Sequence, residues 1–178
     1  MSIRGDLQRL LDACGVRYFS ANELLVHTGK PLNHEPHPSQ LDNILPAVLV
    51  LDALRSHLRR PIRPASVFRS PAYNASVGGA TRSQHLDFVA IDFSTRRLRG
   101  AYDLLLSWRR EMKMFRSEAP FFPLGKDAAG PERKPLPMWE ERGGDSQLFH
   151  WLGGLAIYPS KNFIHIDARG SNRTWRGA

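Results

Sequence analysis

The stretch Arg69-Ser70-Pro71-Ala72-Tyr73-Asn74, continued by Gly78-Gly79-Ala80-Thr81-Arg82-Ser83-Gln84-His85-Leu86-Asp87-Phe88-Val89-Ala90-Ile91-Asp92, decides how this chain is read. Ser70 before Pro71 is a helix cap followed by a residue preset for a first turn. Gly78-Gly79 closes that short helix. From residue 88 to 94, Val89, Ile91 and Phe93 face one way and Ala90 and Asp92 the other, which predicts a strand. His85 then stands in the loop that enters the strand carrying Asp92. Further on, Phe163-Ile164-His165-Ile166-Asp167 follows Ile157-Tyr158-Pro159-Ser160 and predicts a hairpin of strands over 154–158 and 162–167. If the two His- and Asp-bearing strands are neighbours, His85, Asp92 and His165 meet at one point. Two imidazoles and a carboxylate leave the fourth position of a zinc ion open. The bland alternative is three separate structural residues, and the flanking motifs must separate the two.

Outward from this segment, Ile3, Leu7, Leu10, Leu11 and Cys14 have helical spacing, so residues 1–19 are read as an N-terminal helix and its exit. Ser20-Ala21-Asn22-Glu23 is a capping box that opens a short helix to about His27. Residues 29–39 are turn-rich. Residues 39–60 predict the main helix, with Pro46 kinking it or lying near its start. A strand is expected over 62–68 and an amphipathic helix over 98–115. Residues 119–146, rich in Gly, Pro and charge, read as one long loop, a length that points to a functional lid or an assembly contact. The expectation is α+β: a single domain over 1–178, a small antiparallel sheet with flanking helices.

Composition narrows the partners. The chain has 178 residues and a net charge of +8. A basic surface favours anionic partners, whether nucleic acid or the acidic polymers and carboxylate-ended peptides of a bacterial wall. The basic residues are scattered, with no run of five, so no specific nucleic-acid binding is expected. With Cys14 as the one cysteine there is no internal disulfide and no thiolate zinc site. The opening residues lack an apolar signal region, and no stretch has the roughly 20 apolar residues of a membrane helix, so synthesis in the cytoplasm without membrane insertion is expected.

Taken together, the motifs resemble the peptidase M15 family: zinc D-Ala-D-Ala carboxypeptidases and phage endolysins that share the Hedgehog/DD-peptidase fold. The family's Ser-x-His, two residues, Gly, x, Ala, x, Asp stands here as Ser83 to Asp92, and its Arg-Ser-Pro-x-x-Asn as Arg69 to Asn74. The Phe-Ile-His-Ile-Asp behind Tyr-Pro-Ser is similar to the closing motif of the wall-carboxypeptidase branch. The resemblance implies zinc on His85, Asp92 and His165, and metal-assisted hydrolysis of a peptide bond in peptidoglycan. It implies that Arg69 stabilises a developing oxyanion or grips a substrate carboxylate, and that Ser83, Asn74 and Tyr158 bind substrate. It also implies a phage or prophage setting, with holin release or carriage among tail or virion proteins.

Two positions depart from the family pattern. Phe88 replaces the motif's Gly, filling part of the cleft or joining the core. Asn162 stands where many relatives have an acidic general base. Asp167 and Asp87 are the substitutes: Asp167 shares a strand face with His165 and either accepts the proton or orients the ligand. Without a base, the chain reads instead as a non-catalytic binding or virion module; a cytoplasmic D-Ala-D-Ala dipeptidase is the third reading. Arg69 has a bland reading as a surface ion-pair partner. Asn33-His34-Glu35-Pro36-His37-Pro38 is expected to be a polar loop, because its prolines forbid the helical His-Glu-x-x-His arrangement. His150 is expected at the surface or on a lid.

Overall fold

The computed structural model describes residues 2–123, 140–143 and 146–177. Helix α1 (Ile3–Ala13) is capped by the Ser2 hydroxyl and buries Leu7 and Leu11. Helix α2 (Ala21–Leu24) opens on the expected capping box of Ser20 and Glu23. The main helix is shorter than 39–60: a 3-10 segment, Pro38–Ile44, leads into α3 (Leu45–Leu58). Pro46 lies in the first turn of α3, where a missing N–H breaks no helical hydrogen bond. Every residue from Leu45 to Asp52 is buried, as befits a helix that is apolar all round. The Asp52 carboxylate accepts from the backbone N–H groups of Arg17 and Tyr18, at 2.9 and 2.8 Å, and so fastens the link after α1 to α3.

After α3 come β1 (Arg63–Ser66), α4 (Pro71–Ser76), a 3-10 turn (Gln84–Asp87), β2 (Ala90–Ser94) and α5 (Leu98–Arg110). Ser70 caps α4 as expected, with Pro71 in its first turn. The amphipathic helix stops at Arg110, short of Phe115. Met112 adopts a left-handed backbone (φ 53°), and the chain turns into β3 (Met114–Ser117). Phe115 fits the helical period but is used across a sheet, opposite Phe149 of β5 (Ser146–His150). The expected loop over 119–146 lies largely outside the described residues, and at its far end β4 (Glu140–Gly143) replaces loop with strand. β3, β5 and β4 form a three-stranded antiparallel sheet in the order β3-β5-β4.

The larger sheet adds β6 (Gly154–Tyr158), β7 (Phe163–Asp167) and β8 (Arg173–Arg176), in the order β1-β2-β7-β6-β8. The expected hairpin is β6–β7. The sheet is mixed rather than antiparallel, because β8 runs parallel to β6. One continuous cluster of buried apolar side chains joins α1, α3, α5 and both sheets. Among the described residues no helix is long and apolar enough to cross a membrane.

Register is what positions the site. Cross-strand partners share a sheet face, and successive pairings set Ser66, Asp92, His165, Ala156 and Trp175 in one row across five strands. The small Ala156 leaves the Trp175 ring within 5.4 Å of the His165 ring, centroid to centroid.

Candidate metal centre

His85 reaches the row from the 3-10 turn, which the Ser83 hydroxyl caps. The turn ends at Phe88, whose backbone is left-handed (φ 58°). That conformation explains why a glycine suits this position: a side chain there costs about 1–2 kcal/mol. The Phe88 ring is 0% exposed and packs edge-on against Phe68, so it joins the core and leaves the cleft clear.

Nε2 of His85 lies 3.2 Å from Asp92 Oδ2, and Nδ1 of His165 lies 2.8 Å from Asp92 Oδ1. One donor atom from each of the three residues lies within 4.8 Å of the others. The far nitrogen of each ring is held from behind. His85 Nδ1 bonds the Val67 carbonyl at 2.7 Å, and His165 Nε2 bonds Asp167 Oδ2 at 3.0 Å. Such contacts put a proton on the far nitrogen and aim the near lone pair at the centre. Two oriented imidazoles and one carboxylate, all buried, are a donor set that fits zinc.

The charges interlock. Burial alone would raise the Asp92 carboxyl, but His85 and His165 hold it well below the usual carboxylate range. Burial pushes His85 down, against the pull of Asp92. Burial acts the same way on His165, but hydrogen bonds to Asp167 and Asp92 outweigh it and raise the imidazole to about 9. A metal must displace that proton. Zinc uptake at pH 7 is therefore expected to release about one proton per chain. Affinity is expected to climb roughly tenfold per pH unit up to about pH 9. Calorimetric titration in two buffers of different ionisation enthalpy reads the proton directly, and zinc binding without proton release would show that His165 is not held protonated at pH 7.

The centre opens into a cleft of about 550 Å³. Of the sequence candidates, Arg69, Ser83 and Tyr158 line it. Arg69 donates from Nη2 to Asp92 at 3.0 Å and from Nε to the Ser66 hydroxyl at 2.8 Å. The Tyr158 hydroxyl accepts from Trp175 Nε1 at 2.8 Å. Asn74 does not line the cleft. It is 4% exposed, and its amide donates to the Ala80 carbonyl, where it folds the 74–80 turn. Asp87 is buried in the 3-10 turn, away from the cleft lining. Asn162 belongs to a neighbouring depression, and His150 stands in β5 opposite Met114. His34 and His37 lie in a polar loop, as expected, where His34 Nδ1 bonds the Glu35 carbonyl and His37 Nδ1 the Ser39 hydroxyl.

Residues 17–109, just over half of the chain, match the peptidase M15 family. The chain belongs to that family. The matched span carries His85 and Asp92 but ends before His165, which the pairing of β7 with β2 brings opposite Asp92. Comparison with curated proteins and with solved structures found no significant match.

Several residues of the M15 cleft were not legible as site residues. Arg169, Arg173 and Trp175 enter through β8 and the turn before it, and Lys161 through the β6–β7 turn. The β-formers Thr174 and Trp175 are the one local signal for that strand.

Proposed function

We propose that this M15 chain is a zinc peptidase that cleaves a peptide bond in the stem or cross-bridge of peptidoglycan. The observation that carries this reading is the buried His-Asp-His donor set, each ring locked from behind, at the base of a cationic cleft. Arg69, Arg82, Lys161, Arg169 and Arg173 line that cleft, and among the described residues Asp92 is its one carboxylate. Wall peptides end in carboxylates, so the charge suits them.

Zinc held there supplies Lewis-acid polarisation of the scissile carbonyl and a water-derived nucleophile near neutral pH. The chain's own groups do the rest. A guanidinium has five N–H donors, and Arg69 spends one on Ser66 and one on Asp92. The remainder serve a substrate carboxylate or a developing oxyanion. The Ser83 hydroxyl borders the same cleft and suits the peptide end. Delivery by a phage holin or within a virion fits a wall target.

One observation favours a second reading. No carboxylate besides Asp92 lines the described cleft, and Asn162 stands elsewhere. A binding or virion module with this metal core needs no base. Elemental analysis beside amino-group release from purified peptidoglycan separates the readings. One zinc per chain with release is the expected result. Zinc without release supports the module, and release only from free D-Ala-D-Ala supports a dipeptidase.

A further inference from the structure

A second depression, of about 430 Å³, lies beside the cleft. Arg60, Arg63 and Arg96 line it together with Ser94, Thr95 and Asn162, and among the described residues no carboxylate does. All three arginines are exposed, and among the described residues none has an ion-pair or hydrogen-bond partner. Like charges around one hollow repel one another, weakly where water screens them, and among the described residues no carboxylate pairs with them. They become favourable when an anion sits between them.

The scaffold beneath is firm. Arg59 closes α3 in a left-handed conformation (φ 49°), which turns the chain and sends Arg60 to the rim. The Thr95 hydroxyl donates to the Pro61 carbonyl at 3.2 Å and ties that corner to the end of β2. Arg63 is the cross-strand partner of Ser94, so two adjacent strand ends fix the floor. The lining cations are all arginine. Their planar forks match the paired oxygens of a phosphate, unlike the point charge of lysine.

The depression is also in line with the metal centre. Ser94 lies two residues past Asp92 on the same strand and face, about 7 Å along it. Asn162 borders the hollow, while its neighbours Lys161 and Phe163 border the cleft. A wall fragment with its peptide in the cleft therefore brings the groups next to that peptide to the edge of the hollow.

We propose that this hollow is an anion subsite for a phosphodiester group of the anionic polymer that is joined to the peptide-bearing glycan of the wall. The proposal rests on the wall reading given above, but its test reads binding rather than hydrolysis, so either can fail alone. The zinc-loaded full chain is sedimented with purified wall, either intact or stripped of its phosphodiester polymer. A triple variant, Arg60→Ser with Arg63→Ser and Arg96→Ser, is compared on both walls, its fold checked by circular dichroism. The wild type is expected to bind intact wall at least about tenfold more tightly than stripped wall. The triple variant is expected to bind both walls alike, at the weaker level. Equal binding of the wild type to both walls, or unchanged binding by the variant, overturns the proposal. Displacement by inorganic phosphate at equal phosphate concentration would make this a small-anion site, and preferential displacement by duplex DNA a nucleic-acid surface. Either result also overturns it.

Discussion

Asp92→Asn is expected to leave less than about a tenth of the chains with metal after dialysis and to lower peptide hydrolysis by roughly a thousandfold or more. Asp92 is the hub of the centre. Its Oδ1 receives His165, and its Oδ2 receives Arg69 at 3.0 Å and faces His85 at 3.2 Å. It is also the one anion among the three candidate ligands. An amide keeps the volume but removes the charge, and whichever way it is turned, its NH₂ group faces a donor. A thousandfold loss corresponds to about 4 kcal/mol, the scale of charge stabilisation that a metal contributes. The β2 ladder is backbone, so circular dichroism should still report a folded chain. A second readout isolates the electrostatics. His165 stands near 9 because two carboxylates hold its proton, and burial opposes them. With Asp92 neutral, one support is gone and the imidazole pKa falls, as NMR titration of the metal-free variant would show. A variant that keeps stoichiometric zinc would remove Asp92 from the ligand set.

How legible this was in the sequence depended on how local each feature is. The capping box at Ser20, the cap at Ser70 and the alternation at residues 88–94 are set by neighbours in the chain, and each stands where the sequence places it. The meeting of His85, Asp92 and His165 was legible because two short motifs carry them and each lies on a strand or the turn entering it. Phe115 was misread because a residue at helical spacing is equally usable in a strand, and its partner Phe149 is remote in sequence. The parallel β8 was missed for the same reason: its pairing with β6 is non-local and its four residues are too few for a periodic signal. Asn74 shows a different limit. Its place in the motif said that it matters, but only the structure shows its amide folding the turn above the cleft. Phe88 shows a third. The sequence exposes the missing glycine, while the sign of φ that makes glycine apt is a backbone fact.

The second large effect is expected at Asp167, and it decides what this carboxylate does. Asp167 is 0% exposed. Its Oδ1 accepts from the Gly154 and Arg169 backbone N–H groups at 2.8 and 3.1 Å and from Arg169 Nε at 2.8 Å. Its Oδ2 accepts from His165 Nε2 at 3.0 Å and from Arg169 Nη2. Two oxygens offer about four lone-pair positions, so none is left to take a proton from water. Gly154 sharpens the fit, because a Cβ there would meet Asp167 Oδ2 at 2.3 Å. The geometry makes Asp167 a positioning residue for His165. Asp167→Ala is expected to cost about 3–5 kcal/mol of folding stability, since it strands a largely buried guanidinium, and to weaken zinc binding roughly 10- to 100-fold. Burial would raise this carboxyl, but Arg169 and His165 hold it well below the usual range. A depressed carboxyl stabilises the fold above its unfolded value of 3.8 and loses that contribution as pH falls below it. The stability gap between wild type and Asp167→Ala should therefore be full at pH 6 and shrink below about pH 4, which denaturant melts across pH would trace. Asp167→Asn keeps the shape and separates positioning from proton transfer. A positioning role lowers the rate at every pH and keeps the acid limb of the kcat/KM profile. A general base takes that limb with it, so a flat profile in Asp167→Asn would return Asp167 to the proton path.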